Sequence, residues 1–134
     1  MTLFLDTSAL VKRYVAEEGS EAVLRRMDAD REWVVSAVAR TEAEIALCRL
    51  GFEPDQIAEL SRRLRRDWER CHVVPVDPAC LDRAAEIGCQ YQVRTLDAVH
   101  LAAADRLPAQ SVVLTFDQRQ AEAARMMDLT VEGA

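Results

Sequence analysis

Met1-Thr2-Leu3-Phe4-Leu5-Asp6-Thr7-Ser8 opens the chain, and the remaining residues are read outward from it. Leu3, Phe4 and Leu5 form a short continuous apolar run, the signature of a strand buried on both faces. Asp6 stands at its end, followed by Thr7, Ser8 and the helical pattern from Ala9 to Val15. Open α/β sheets place their chemistry where a buried strand ends in an acid and a hydroxyl-bearing turn enters a helix. The same residues also suit a plain helix cap. Acids elsewhere in the chain decide between the two.

Outward from this start, short apolar runs alternate with helical spacings. Ser20 is expected to cap a helix from Glu21 to Ala29, and Trp33–Ser36 reads as a second buried strand. A helix follows from Ala37 to Leu50, with Gly51 as its stop. Pro54, at a first helical position, opens a long helix from Asp55 to Arg70. His72–Val76 is a third strand, and Asp77-Pro78 is a cap and first-turn proline before a helix from Ala79 to Gln92. A further helix runs from Leu96 to Arg106, after Thr95. Ser111–Thr115 is a fourth strand, a helix follows from Asp117 to Met127, and Leu129–Val131 is a weak fifth strand. Strands alternating with helices imply an α/β fold with a parallel sheet covered on both faces. Residues 1–134 read as a single domain, with no internal repeat or low-complexity linker.

Composition narrows the function classes. Half the residues are apolar and 30% are charged, ordinary for a globular protein. No apolar run approaches the ~18 residues of a membrane span, and no signal peptide is visible, so a cytoplasmic location is expected. Cys48, Cys71, Cys80 and Cys89 include no C-x-x-C pair, which disfavours a disulfide framework or a zinc site. The net charge is −6, with 23 acids against 17 bases, so any nucleic-acid contact must come from a local basic patch. Arg62, Arg63, Arg65, Arg66 and Arg70 cluster on the long helix, where a solvated face explains them equally well. Lys12, Arg13 and Arg94 lie nearer the expected pocket and are the better candidates for such a contact.

Four carboxylates occupy comparable places. Asp6 ends strand one, and Asp117 follows strand four by two residues, so both belong at the carboxyl edge of a parallel sheet. Glu42 lies in the helix after strand two, six residues beyond Ser36. Asp97, in the first turn of the helix before strand four, joins them only if Gln92 to Thr95 carries the chain across the top. Glu44 points to another helix face and serves as an internal control. Clustered carboxylates repel unless protons or a cation intervene. Oxygen-only donors without a histidine pair point to Mg²⁺ or Mn²⁺.

With these motifs in place, the chain resembles the PIN-domain ribonucleases of the VapC toxin type, over essentially its whole length. The resemblance is carried by Leu5-Asp6-Thr7-Ser8-Ala9-Leu10, by Ser36 through Glu42, by Thr95-Leu96-Asp97-Ala98-Val99-His100-Leu101-Ala102, and by Leu114-Thr115-Phe116-Asp117. It implies a three-layer domain whose central, mostly parallel sheet of four or five strands is flanked by helices. It implies Asp6, Glu42, Asp97 and Asp117 as the catalytic and metal-holding acids, with Ser8 and Thr115 as supporting hydroxyls. It further implies Mg²⁺- or Mn²⁺-dependent hydrolysis of RNA to 5′-phosphate and 3′-hydroxyl ends by the toxin of a toxin–antitoxin pair. Such a toxin inhibits translation, binds a VapB-type antitoxin whose C-terminal segment lies near the acids, and forms a homodimer.

Two other enzyme classes fit poorly. A haloacid-dehalogenase-type phosphatase needs a second acid two residues after the first, where this chain has Ser8. A response-regulator receiver needs a late lysine, and Lys12 is the only lysine. Glycine-rich phosphate loops are absent from the sequence. The remaining alternative is a catalytically inactive PIN-like module that binds RNA or protein.

Overall fold

The computed structural model describes residues 2–134. Five strands, β1 (Thr2–Leu5), β2 (Glu32–Ser36), β3 (His72–Val74), β4 (Val112–Thr115) and β5 (Thr130–Gly133), form one sheet in the order β3-β2-β1-β4-β5. Every pairing is parallel, because each connection carries at least one helix and none is a hairpin. The first strand is thereby the central one. Phe4 lies opposite Val34 on β2 and Val113 on β4.

Seven helices cover the sheet: α1 (Thr7–Lys12), α2 (Ser20–Ala29), α3 (Val38–Cys48), α4 (Pro54–Trp68), α5 (Pro78–Tyr91), α6 (Thr95–Asp105) and α7 (Gln118–Met126). The two-residue period of the strands divides the core between the faces. Leu3, Leu5, Trp33, Val35, Val112 and Leu114 pack with residues of α1 to α4. Phe4, Val34 and Val113 point the other way, onto Ala103 and Ala104 of α6. Ala84 and Ile87 of α5 then pack with Ala98, Leu101 and Ala102 of α6 and with Ala123 and Ala124 of α7. Small alanines let α6 lie close against the sheet. Among the described residues, no helix is long and apolar enough to cross a membrane.

Several local expectations are adjusted. Helix α2 begins at Ser20 rather than being capped by it, and Gly19 is the N-cap in the left-handed region at φ 92°. The Ser20 hydroxyl instead ties the preceding turn, accepting from Glu17 N at 3.0 Å and donating to Val15 O at 2.8 Å. Helix α1 stops at Lys12, with a tight turn through Val15. Strand β3 ends at Val74, two residues short of the expected Val76. The Asp77 cap is as read, its side chain accepting from Cys80 N at 2.8 Å. Strand β5 extends to Gly133 and pairs with β4 along its length.

Two helices lie between β3 and β4, as read, and their pairing carries Asp97 to the site. Helices α5 and α6 pack together after a turn in which Gln92 takes φ 55°. Arg106 bonds Asp77 at 2.6 Å and Arg83 bonds Asp105 at 2.9 Å, tying the start of α5 to the end of α6. The first turn of α6 is therefore at the other end, beside the carboxyl ends of the strands.

Candidate active site

Asp6 is the N-cap of α1 as well as the end of β1, so the cap reading and the site reading describe one residue. Its Oδ2 accepts from Ser8 Oγ at 2.6 Å, Thr115 Oγ1 at 2.8 Å and Ser8 N at 3.3 Å. The two hydroxyls are themselves oriented. Ser8 Oγ accepts from Phe116 N at 3.0 Å, and Thr115 Oγ1 accepts from Asp117 N at 3.2 Å. The terminal amide of Gln120, fully buried, meets the acceptors of Asp6, so its nitrogen is assigned to that side by the hydrogen-bond network, 3.0 Å from Oδ2, 3.1 Å from Oδ1 and 3.0 Å from Thr115 Oγ1. Oδ2 is thereby saturated, whereas Oδ1 has the Gln120 amide beside it and keeps acceptor capacity for a ligand.

Asp117 caps α7, its Oδ1 accepting from Gln120 N at 3.1 Å. Its Oδ2 lies 3.5 Å from Arg94 Nη2, while Arg94 Nε donates to Asp97 Oδ2 at 3.1 Å. The Arg94 side chain is 70% exposed, so one solvated guanidinium bridges the two acids at the mouth of the site. Burial raises the Asp97 carboxyl above its usual range. Arg94 opposes this, and the charges of Asp117 and Asp6 reinforce it. Three of the four acids thus lie within one another's fields.

Glu42 reaches the cluster from α3. Its Oε1 accepts from Thr7 Oγ1 at 2.9 Å and lies 2.5 Å from His100 Nε2. Burial opposes ionisation of Glu42, but the bonds from His100 and Thr7 outweigh it and hold the carboxyl below its usual range. An ionised carboxylate only accepts, so Nε2 of His100 carries the hydrogen. The same Nε2 lies 3.9 Å from Asp6 Oδ1, which links the fourth acid to the first. Burial lowers the His100 pKa, and the Glu42 bond with the fields of Asp6, Glu42 and Asp97 raises it by more.

The acids are linked through Arg94 and His100 rather than converging on one point. Among the described residues, no three His, Cys, Asp or Glu side chains form a preassembled metal cage. Oxygen donors facing the pocket are nevertheless present. Glu42 accepts through Oε1 and Asp97 through Oδ2, so Oε2 and Oδ1 are left for a ligand.

The basic candidates separate. Arg94 meets the acids, as its position near Asp97 implied. Arg13 does not. Its Nε bonds Asp67 at 2.8 Å and its guanidinium lies over the Trp33 ring at 5.1 Å, beside Met27, Asp28, Arg31 and Arg70. Lys12 lies over the Phe116 ring at 4.8 Å, with Nζ held by Glu17 at 3.2 Å and the Glu18 carbonyl at 2.7 Å. Both cations therefore already have protein acceptors. Glu44 faces away, accepting from Ser61 at 3.0 Å and Arg65 at 3.1 Å.

A family model of the PIN domain matches residues 3–126. The chain belongs to the PIN domain family. Ribonuclease VapC46 of Mycobacterium tuberculosis is 35% identical over 131 residues, covering 96% of this chain and 95% of that protein. Ribonuclease VapC35 of the same organism is 30% identical over 134 residues, covering 96% and 94%. The crystal structure of FitAcB from Neisseria gonorrhoeae shares the fold with a TM-score of 0.77 at 19% identity, covering 97% of this chain and 96% of that one. A DNA-bound VapBC from Salmonella typhimurium does so with a TM-score of 0.73 at 16% identity, covering 98% and 97%.

Within this PIN domain, three polar residues of the cluster escaped the sequence reading: Thr7, His100 and Gln120. Local signals for them existed. Thr7 follows Asp6, His100 lies three residues after Asp97 on the same helix face, and Gln120 lies three after the Asp117 cap.

Proposed function

We propose that this PIN domain is a metal-dependent endoribonuclease, the toxin of a toxin–antitoxin pair that inhibits translation. The observation that carries the reading is the accumulation of Asp6, Glu42, Asp97 and Asp117 beside one exposed guanidinium. An acidic pocket of this kind repels a phosphodiester unless a cation is present. The donors suit Mg²⁺ or Mn²⁺, being oxygens of several carboxylates. The bridging Arg94 supports the fit, because a positive group already stands between Asp97 and Asp117.

Asp6 and Asp97 would hold the ion, and Glu42 and Asp117 would complete the carboxylate set around it. When bound, the metal polarises the phosphoryl oxygens and lowers the pKa of an attacking water. Ser8, Thr115 and Gln120 fix the Asp6 carboxylate so that it keeps its direction when phosphate arrives. Arg94, at the rim, exchanges its carboxylate partners for an RNA phosphate. The names of the relatives support RNA as substrate. By the same relationship, a VapB-type antitoxin covers the site and the chain pairs with itself.

The test is cleavage of a labelled RNA pool by the partner-free protein in EDTA, Mg²⁺ and Mn²⁺. Metal-dependent products with 5′-phosphate ends, lost in D97N and kept in E44Q, are expected. A folded protein that cuts nothing with either metal overturns the reading and leaves an RNA- or protein-binding module. Light scattering of the chain alone and co-expressed with its antitoxin tests the homodimer and the complex; a strict monomer rejects the former.

A further inference from the structure

His100 is the one strongly polar side chain on the buried part of α6, a stretch otherwise composed of Ala98, Val99, Leu101, Ala102, Ala103 and Ala104. It is 1% exposed, and its Nδ1 is buried without a hydrogen-bond partner. An orphaned buried nitrogen is costly, and an apolar residue of similar volume would avoid it. All the polar contacts of the ring are made by its other nitrogen: Glu42 Oε1 at 2.5 Å, Thr7 Oγ1 at 3.3 Å and Asp6 Oδ1 at 3.9 Å. The ring of Phe4 meets it edge-on, with centroids 6.5 Å apart and an interplanar angle of 73°, and fixes its plane from β1.

We infer that His100 is a positioning residue for the metal site, acting through Glu42. The inference rests on reading the acid cluster as that site. The Nε2–H and the Thr7 hydroxyl act on the same carboxylate oxygen, so rotation of Glu42 is blocked and Oε2 is the oxygen presented to the pocket. The positive end of the N–H bond also lies between Glu42 and Asp6, reducing the repulsion that would drive these acids apart. Thr7 alone cannot do both, because its single hydroxyl hydrogen is committed to Glu42. Partners of this kind, which hold a ligand without touching the metal, change metal affinity or activity by ~10–100-fold when removed.

The experiment compares H100L, which keeps the bulk and removes the donor, with H100Q, whose amide nitrogen can replace Nε2–H. Both are also made in an E42Q background. Mn²⁺ affinity is measured by electron paramagnetic resonance, alongside kcat and KM for RNA cleavage and the thermal midpoint. H100L is expected to weaken Mn²⁺ binding about tenfold and lower kcat by ~10–100-fold with KM nearly unchanged. H100Q recovers most of both, and H100L adds little once Glu42 is Gln, because the two act as one unit. Three results overturn the inference. They are an H100L that matches the wild type in Mn²⁺ affinity and kcat, an H100Q that fails as badly as H100L, and H100L and E42Q effects that are fully additive. A wild type that binds Mn²⁺ but cuts no RNA removes the nuclease reading and leaves the His100 test readable by affinity. A wild type that neither binds Mn²⁺ nor cuts removes both.

Discussion

On the α4 side of the molecule, Asp67 accepts from Arg13 Nε and the Tyr14 hydroxyl, each at 2.8 Å. Glu44 accepts from Arg65, and Glu59 from Arg62. Each of these three acids has its own arginine. At the carboxyl edge of the sheet, Asp6, Glu42, Asp97 and Asp117 are served by hydroxyls, amides, one imidazole and the exposed Arg94. Charge is balanced pair by pair in the first region and left in surplus in the second. Balanced acids hold the fold together, whereas the surplus acids carry the cation site proposed above.

The largest expected effect separates the two regions by activity. D97N should lower RNA cleavage by about 10³-fold, the equivalent of several kcal/mol of lost electrostatic stabilisation, while E44Q stays within about twofold. Equal losses in both variants would erase the distinction.

Stability should rank the acids in the opposite order. D67A leaves the buried Tyr14 hydroxyl and the Arg13 guanidinium without their shared acceptor, at a cost of about 2–3 kcal/mol. Calorimetry should show a fall in thermal midpoint on the order of 10 °C. A shift below 2 °C would mean that the Asp67 cluster is solvated decoration.

Removing a surplus charge should instead stabilise the metal-free protein. The folded-state pKa of Asp97 is raised, so its favourable contribution belongs to the protonated form. That contribution is present below the unfolded pKa and lost as pH rises through the folded one, leaving a destabilising charge at pH 7. In EDTA at pH 7, D97N should therefore melt above the wild type, and the gap should narrow as pH falls and the wild-type carboxyl takes up its proton. Saturating Mn²⁺ should reverse the order by stabilising only the wild type.

The smallest effect sharpens the comparison from the other side. Arg65, largely exposed, pairs with Glu44, and R65Q should change stability by no more than about 0.5 kcal/mol in urea titration and leave cleavage untouched.

Much of this contrast was legible along the chain. Continuous apolar runs at Leu3–Leu5 and Val112–Leu114, each followed by an acid, placed Asp6 and Asp117 at one sheet edge, because parallel strands end together. Glu42 and Glu44 were separable by helix geometry alone, since neighbours two apart do not share a face. Spacing did not place Asp97. A helix preceding a strand starts at the opposite edge unless a second helix returns the chain first, and α5 performs that return. Arg13 was misplaced for a related reason. Its neighbours in sequence border the site, but its long side chain runs to Asp67, 54 residues away.

The sequence by itself determined the strand–helix alternation, the parallel sheet and the place of Asp6 and Asp117 at its carboxyl edge. Those follow from periodicity, caps and short-range sterics. Only the tertiary structure decided which cations balance which acids, that His100 enters the cluster, and which carboxylate oxygens are left for a ligand. These depend on the packing of α3 and α6 against β1 and on side-chain bonds spanning 58 and 109 residues, distances over which local pattern carries no information.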